Sequence, residues 1–449
     1  MTSNAGFSRP YSRLQEIAAD LLKYARKKGA SACEIDISES FGQSVAVRKG
    51  SVDTIEYNRD KGVGITVYLG QQRGQASTSD FSRASLKSAV DAALSIARFT
   101  APDPCAGLAD KALMARDCPD LDLFYPWDLP VADAIALARR CEEAAFAVDP
   151  QIRNSEGANV STQQSHFVSA NSHGFMGGFA SSRHSLSCAV IAGEGDAMQR
   201  EYWHDDRRDA ADLIAAEEVG RIAGERALAR LGARRIRTRE APVIFEAPVA
   251  VGLIGNFVQA ASGGALYRRS SFLLDALGQQ VFSPVISISE RPHLQKAFGV
   301  SWFDSDGVAT HDREVVTDGV LQGYFLSVYT ARKLGMQTTG NAGGSHNLRV
   351  RAGNDDLAGM LKKMGRGLLV TELLGQGVNY VTGDYSRGAA GFWVENGKIK
   401  HAVQEVTIAG NLRDMFRDIV AVGSDALPRG AKHCGSVLIG HMKIAGAGR

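Results

Sequence analysis

The residue types that catalyse hydrolysis are present in this chain, but they form no local catalytic motif. None of the ten histidines is followed by glutamate, so the H-E-x-x-H helix of zinc proteases is absent. Residues 397–399 read Gly-Lys-Ile and lack the final Ser or Thr of a phosphate-binding loop. Residues 375–377 read Gly-Gln-Gly, with Tyr380 where a dinucleotide loop has its third glycine. Ser386 has Asp384 in place of the first glycine of a nucleophile elbow, but a serine nucleophile with sequence-distant partners stays open.

Candidate metal ligands are dispersed rather than clustered. His166, His173 and His184 lie in strand-like sequence, where surface or hydrogen-bonded histidines are more common than metal ligands. His433 and Cys434 are adjacent and therefore point to opposite faces of a strand. The sequence therefore predicts no metal site from these residues, with Cys434 as a weak candidate ligand.

The stretch from Leu368 to Gly397 is the most distinctive in the chain. It is dense in glycine, and its final Asn396-Gly397 after an apolar run predicts a β-hairpin. Glycines this dense within strand-like sequence predict bulges or a close approach by another backbone. Polar residues lie between the glycines, which favours a binding or assembly surface; tight turns in a β domain are the equally weighted alternative.

Composition and charge narrow the classes of function. A chain of 449 residues is too long for one ordinary core, which predicts two or three domains. Lys and Arg number 51 against 49 Asp and Glu, so no basic excess points to nucleic acid. We expect no membrane span and no secretory signal, because the apolar runs are short and no h-region follows the start. Six scattered cysteines without a C-x-x-C pair predict reduced thiols in a cytoplasmic protein.

Periodicity predicts an α+β protein with three modules. Residues 1–100 read as a helix, four antiparallel strands and a second helix. Residues 101–235 read as a loop-rich connector, a helix opened by Pro130, a β-rich segment and a helix from about Ala216 to Leu231. Residues 236–449 read as a large β-rich C-terminal domain with few helices, one of them from about Val249 to Ala261.

Several segments resemble the TldD/PmbA metalloprotease family, and they are closest to its PmbA (TldE) branch. They are ALYRRSSFL at 265–273, TGNAGGSHN at 339–347, GDYSRGAAG at 383–391 and IAGNLRD at 408–414. The resemblance covers nearly the whole chain. It implies one subunit of a cytoplasmic heterodimeric metalloprotease that acts on unfolded or modified peptides, such as a microcin precursor or an antitoxin. It also implies that a TldD-type partner subunit supplies zinc or iron.

The metal-binding helix of the TldD branch, H-E-x-x-x-H, is degenerate in this chain. The matching positions hold Gly255, Asn256 and Ala260. Glycine and alanine have no lone pair for a metal, and an asparagine amide cannot act as the general base. A spacing of five also does not put two side chains on one face of a regular helix. The resemblance therefore implies a chain with no catalytic residue and no metal cofactor of its own, although Cys434 falls near the family's cysteine ligand.

The residues that could contact peptide or partner come from the segments that carry the resemblance. The family binds extended peptide by adding it to a sheet, a mode that tolerates varied side chains. The candidates are Tyr267, Arg268, Arg269, Asn341, Asn347, Asp384, Tyr385, Ser386 and Arg387. Each of them has an alternative interpretation as a turn or cap residue. A homodimer of the isolated chain stays open, and neither nucleic acid nor membrane is expected as a partner.

Two other functions remain as alternatives at this point. One is a stand-alone hydrolase with a non-local nucleophile, which would cleave peptides without a metal. The other is a binding module without a protease role, for example a modulator of DNA gyrase.

Overall fold

The computed structural model describes residues 6–447, and it confirms the predicted α+β fold class. Its first half is one antiparallel sheet with strand order β3-β2-β1-β4-β6-β7, in which β5 pairs with β4. The strands are β1 (Ala32–Arg48), β2 (Ser51–Leu69), β3 (Gln72–Thr78), β4 (Ile152–Asn171), β5 (Met176–Gly177), β6 (Ala180–Ala192) and β7 (Gln199–Arg207). The first two predicted modules therefore share a single sheet through the pairing of β1 with β4.

Four helices cover this sheet in two pairs. Helices α1 (Tyr11–Lys27) and α2 (Arg83–Phe99) bury one apolar core, and α3 (Val131–Phe146) and α4 (Ala216–Ala229) bury a second. Leu14, Ile17, Ala18 and Leu21 recur at helical spacing and are all buried, which is why α1 packs on one face. Pro130 is the residue before α3 rather than its first helical residue.

The prediction of four strands between α1 and α2 is wrong in its count. Polar residues at 38–44 and 58–62 interrupt the apolar alternation, but the cross-strand pairing runs through both segments, with Ser40 opposite Asp60. The four predicted strands are therefore two long ones, β1 and β2. The sequence analysis missed β3, which pairs with the second half of β2.

The C-terminal half is built on two sheets. A five-stranded sheet has the order β11-β10-β9-β12-β17, and a six-stranded sheet has the order β15-β14-β13-β8-β18-β16. An additional pairing of β15 with β18 closes five strands of the second sheet into a ring. The strands are β8 (Arg237–Phe245), β9 (Ile288–Glu290), β10 (Arg313–Thr317), β11 (Val320–Leu321), β12 (Leu348–Val350), β13 (Gly367–Leu374), β14 (Asp384–Glu395), β15 (Lys398–Asn411), β16 (Ile419–Val422), β17 (Lys432–His433) and β18 (Val437–Ala447).

Five helices belong to this half: α5 (Ala247–Ala260), α6 (Gly263–Tyr267), α7 (Val328–Leu334), α8 (Leu357–Met364) and α9 (Leu412–Arg417). Helix α5 follows β8 directly and packs against β13. Its buried residues, with the inner faces of both sheets, form the main core of the C-terminal half.

The predicted hairpin and bulges in the stretch 368–397 are confirmed. Strands β14 and β15 are joined at Asn396-Gly397, both with positive φ, as a tight hairpin turn requires. Bulges interrupt the pairing of β13 with β14 and of β14 with β15. A Cβ at Gly391 would collide with the Leu369 carbonyl, so the close backbone approach at that glycine comes from the neighbouring strand.

No helix among residues 6–447 is long and apolar enough to cross a membrane.

Candidate functional site

Helix α5 carries the three degenerate positions, and it presents them in different directions. It is a regular α-helix from Ala247 to Ala260. A Cβ at Gly255, or at Gly252 one turn earlier, would meet no atom within 4 Å, so this face of the helix has open space beside it. Ala260 is fully buried in the apolar core. Positions 255 and 260 therefore do not face a common point.

Asn256 is held by a tyrosine from the segment between β13 and β14. The Tyr380 hydroxyl donates to Asn256 Oδ1 at 3.0 Å, and the Phe272 backbone N–H donates to the Tyr380 carbonyl at 2.7 Å. Burial raises the pKa of Tyr380, so this hydroxyl keeps its proton at neutral pH. Asn256 therefore acts as a hydrogen-bond acceptor that fixes the Tyr380 side chain against α5.

Cys434 does not complete a metal site with these positions. It is 2% exposed within the apolar core, and burial raises the pKa of its thiol to about 12. Within residues 6–447 no group of three His, Cys, Asp or Glu side chains could hold a metal ion. Within the described residues, Gly255, Asn256, Ala260 and Cys434 therefore form no ligand set for zinc or iron.

The three histidines considered above do not converge. His184 lies opposite Thr162 in the pairing of β4 with β6, and His166 lies opposite Ala180, further along the same pair of strands. His184 bonds Thr162 Oγ1 at 2.9 Å and the Tyr125 carbonyl at 2.8 Å, and it is completely buried. His173 lies after the end of β4 and bonds the Ala109 carbonyl. Their positions support structural roles.

A cavity of about 340 Å³ lies beside α5, between the first sheet and the C-terminal ring of strands. Strand β7 and helix α4 form one wall, and the start of α5 with β13 and β14 forms the other. The lining residues are Arg200, Glu201, Tyr202, Trp203, Arg226, Pro248, Val249, Val251, Gly252, Thr371, Glu372, Leu373, Arg387 and Arg429. Arg200, Tyr202 and Gly252 are exposed, so the cavity opens to solvent.

Ion pairs join the two walls of the cavity. Arg226 on α4 donates to both carboxylate oxygens of Glu246, which precedes α5, at 2.8 and 2.9 Å. Arg230, 5% exposed, donates to Glu201 on β7 at 2.9 Å and to Glu372 on β13 at 3.0 Å. Because both arginines hold carboxylates of the C-terminal half, they fix the first sheet against the ring and set the width of the cavity.

Arg387 is the predicted site residue that lines this cavity. Among the described residues it has no ion pair with a carboxylate, and its buried Nε has no hydrogen-bond partner. Thr371 Oγ1 in the facing bulge of β13 is also buried without a partner. The guanidinium lies near Tyr380 and Tyr385. Burial raises the pKa of both tyrosines, and the positive charge of Arg387 opposes that rise.

The other predicted residues of β14 divide between its two faces. Tyr385 points inward, is 2% exposed and packs against Phe245; burial raises the pKa of its hydroxyl to about 12. Asp384 and Ser386 are exposed on the other face. The Thr382 hydroxyl donates to Asp384 at 2.6 Å and thereby holds the pKa of that carboxyl below its usual value.

The remaining predicted residues lie elsewhere in the C-terminal half. Tyr267, at the end of α6, contacts Tyr329 edge-on at 5.9 Å, and Arg268 and Arg269 beside it are exposed. Asn341 accepts from Arg313 and donates to Glu290, at 3.0 and 2.8 Å, and is buried. Asn347, also buried, accepts from the Gly299 N–H at 2.8 Å.

The structure thus brings only part of the predicted set to the cavity, and the peptide- or partner-binding roles stay predictions. Sequence reasoning missed the opposite wall, which β7 and α4 supply. One signal was available on β13, where Thr371-Glu372 interrupts an apolar run from Leu368 to Leu374. Polar residues inside such a run indicate a strand face turned toward a site or an interface.

Most of the chain matches one family in three consecutive segments. Residues 33–97 match domain 1 of the PmbA/TldA metallopeptidases, residues 124–231 their central domain and residues 238–446 their C-terminal domain. The chain is 49% identical to the metalloprotease PmbA of Escherichia coli over 96% of both chains. It is 48% identical to the PmbA homolog of Haemophilus influenzae, again over 96% of both.

Solved structures share the same fold. A protein of Bacteroides thetaiotaomicron, named as a proposed modulator of DNA gyrase, superposes with a TM-score of 0.92 at 29% identity, covering 96% of this chain and 99% of that one. TldE of Thermococcus kodakarensis superposes with a TM-score of 0.85 at 20% identity, covering 96% and 100%. The second likeness shows the fold alone.

Proposed function

Because the chain belongs to the PmbA/TldD metallopeptidase family, we propose that it is the peptide-holding, non-catalytic subunit of a heterodimeric metallopeptidase. A TldD-type partner would supply zinc or iron and the general base. The substrates would be unfolded or modified peptides of the cytoplasm, of the microcin-precursor or antitoxin kind.

The observation that carries this proposal is the state of helix α5. Its matching positions are Gly255, Asn256 and Ala260, and the last is buried in the core. Glycine and alanine side chains cannot ligate a metal, and an asparagine amide cannot take a proton from water. The face of α5 at Gly252 and Gly255 has open space beside it, so the surface next to these positions is available to a ligand.

The ring of strands suits extended peptide. Main-chain pairing at a sheet gives affinity that depends little on side chains, which fits varied unfolded substrates. The exposed face of β14, with Asp384 and Ser386, and the exposed arginines after α6 are candidate contacts for peptide or partner. The isolated chain would form a homodimer or remain a monomer until that partner is present.

The test is reconstitution from purified components. The chain would be assayed alone and with a TldD-type subunit from the same cell, using an unfolded peptide and a chelator control. We expect cleavage only from the mixture, and we expect the chelator to abolish it. Chelator-insensitive cleavage by this chain alone would contradict the proposal and support a stand-alone hydrolase.

Co-purification separates the remaining alternative. Mass spectrometry of proteins that elute with the chain from its native cell should identify a TldD-type subunit. A stable complex with DNA gyrase and none with a TldD-type subunit would instead support the modulator function for which the Bacteroides relative is named.

A further inference from the structure

We propose that the cavity beside α5 binds a carboxylate of the peptide ligand, with Arg387 as its counter-cation. This inference rests on the proposed peptide-holding role and adds a chemical preference to it. The cavity is about 340 Å³, at the lower end of the range for ligand sites. That volume suits one side chain or one chain terminus, and the rest of a peptide would lie outside.

The charged residues that line the cavity favour an anionic ligand. Each lining carboxylate already has an arginine: Glu201 and Glu372 both accept from Arg230, at 2.9 and 3.0 Å. Arg200 at the mouth donates to Glu156 at 2.7 Å. Among the lining arginines, Arg387 and Arg429 have no carboxylate partner within residues 6–447. Arg429 donates to the His204 carbonyl, whereas the buried Arg387 Nε has no hydrogen-bond partner. A guanidinium in a partly buried site favours an anion, because a charge shielded from water is costly unless it is paired.

Buried polar atoms without a hydrogen-bond partner are concentrated in the lining of this cavity. Eight buried side-chain N or O atoms in the described chain have no hydrogen-bond partner, and three of them belong to residues that line this cavity. The three are Arg226 Nε, Thr371 Oγ1 and Arg387 Nε. Buried polar atoms normally have partners, so a local concentration of exceptions indicates that something else satisfies them. The Arg387 Nε–H and the Thr371 hydroxyl are both donors, and a carboxylate offers two acceptor oxygens.

The position of Arg387 near α5 also supports the proposal. Arg387 lies near Tyr380, and Tyr380 is bonded to Asn256, the residue in place of the family's general base. Gly252, on the open face of α5, also lines the cavity. A peptide along that face could place an acidic side chain or its own terminal carboxylate against Arg387.

Three synthetic hexapeptides with acetylated N-termini would separate these sources. The first is neutral and carries a C-terminal amide. The second is the same peptide with a free C-terminal carboxylate. The third carries one internal glutamate and a C-terminal amide. Isothermal titration of the full-length chain with each peptide measures the affinity directly and does not depend on proteolysis.

We expect at least one acidic peptide to bind about tenfold or more tightly than the neutral one, as charge-assisted hydrogen bonds allow. Arg387→Gln should remove that preference, so that acidic and neutral peptides bind this variant with the same affinity, and Arg387→Lys should retain part of the preference. The matched control is Arg351→Gln. Arg351 is an exposed arginine that pairs with Asp318 at 2.9 Å beside the five-stranded sheet, and its substitution should not change the affinity for any of the three peptides.

The outcomes distinguish this inference from the proposed function. Equal binding of all three peptides would overturn the inference and leave the peptide-holding role intact, whereas no binding of any peptide would overturn both. An acidic preference that survives Arg387→Gln would also overturn it. If Arg387→Gln does not fold, Arg387→Lys and the salt dependence of the parent's preference decide, because a preference unchanged from low to high salt contradicts an ionic contact.

Discussion

Tyr385 is the predicted contact residue whose role the structure makes easiest to test. Its ring is 2% exposed, and it packs edge-on against Phe245 with centroids 6.5 Å apart. Its hydroxyl is buried and makes no well-aligned hydrogen bond among the described residues, although the Arg387 guanidinium lies close enough to oppose the rise that burial causes in its pKa. The ring and the hydroxyl should therefore contribute to stability with opposite signs.

Removing the ring should cost much of the stability of the C-terminal half. Truncating a buried aromatic to alanine typically costs about 3–5 kcal/mol. A domain of this size loses roughly 2–4 °C of melting temperature per kcal/mol. Tyr385→Ala should therefore lower the melting transition of this half by roughly 6–20 °C.

Removing the hydroxyl alone should have little effect. An unsatisfied buried hydroxyl is destabilising, so Tyr385→Phe should be neutral or stabilising by about 1 kcal/mol. Differential scanning calorimetry measures both variants, and Ser386→Ala, exposed on the same strand, is the control, with an expected change within about 0.5 kcal/mol.

Two results would refute this reasoning. A melting temperature for Tyr385→Ala within about 2 °C of the parent would show that the ring is not part of the core. Weaker association of Tyr385→Phe with a TldD-type subunit, without any loss of stability, would show that the hydroxyl contacts the partner.

Four further predictions concern other residues of the chain. The chain purified by gel filtration should hold no stoichiometric transition metal by elemental analysis; one zinc or iron per chain, lost on Cys434→Ser, would contradict this. Glu246→Gln should destabilise the chain by about 1.5–3 kcal/mol, because it removes the charge that accepts two bonds from Arg226, and hydrogen exchange should increase in α4 and α5. Burial raises the pKa of Glu34 to about 7; a raised carboxyl pKa costs stability as pH rises from about 4 toward 7, so Glu34→Gln should raise the melting temperature at pH 7.5 and not at pH 4. Gly255→His, Asn256→Glu and Ala260→His together should give no chelator-sensitive peptidase, and robust cleavage by this variant would show that only the ligands were lost.

Much of the fold could be predicted from the sequence, because its signals are local. The apolar spacing of Leu14, Ile17, Ala18 and Leu21 gives α1, and Asn396-Gly397 gives the β14–β15 hairpin. The long strands β1 and β2 could not be seen in this way. Their middle segments are polar, and only the pairing of residues about 20 apart, such as Ser40 with Asp60, continues the strands.

The cavity could not be predicted from short stretches of sequence, because its walls come from residues far apart in the chain. Arg387 was identified because it lies in a glycine-rich, polar stretch. Arg226 and Arg230 occur in an ordinary amphipathic helix, and their partners Glu246 and Glu372 are 20 and 142 residues away. No spacing in the sequence indicates that α4 lies against β13. The walls of such a site become visible only when the two halves of the chain are packed together.

The geometry of α5 also explains why three substitutions at positions 255, 256 and 260 should not create a metal site. In a regular helix, residues five apart differ by about 140° around the axis. Gly255 accordingly has open space beside it, while Ala260 lies in the core. Two histidines at these positions could reach one ion only if the helix were locally distorted or ended between them. Tyr380, by bonding Asn256, and the core packing around Ala260 both favour the undistorted helix. In this conformation α5 does not bring side chains at positions 255 and 260 to one ion, and the cavity beside it contains Arg387, which has no carboxylate partner within residues 6–447.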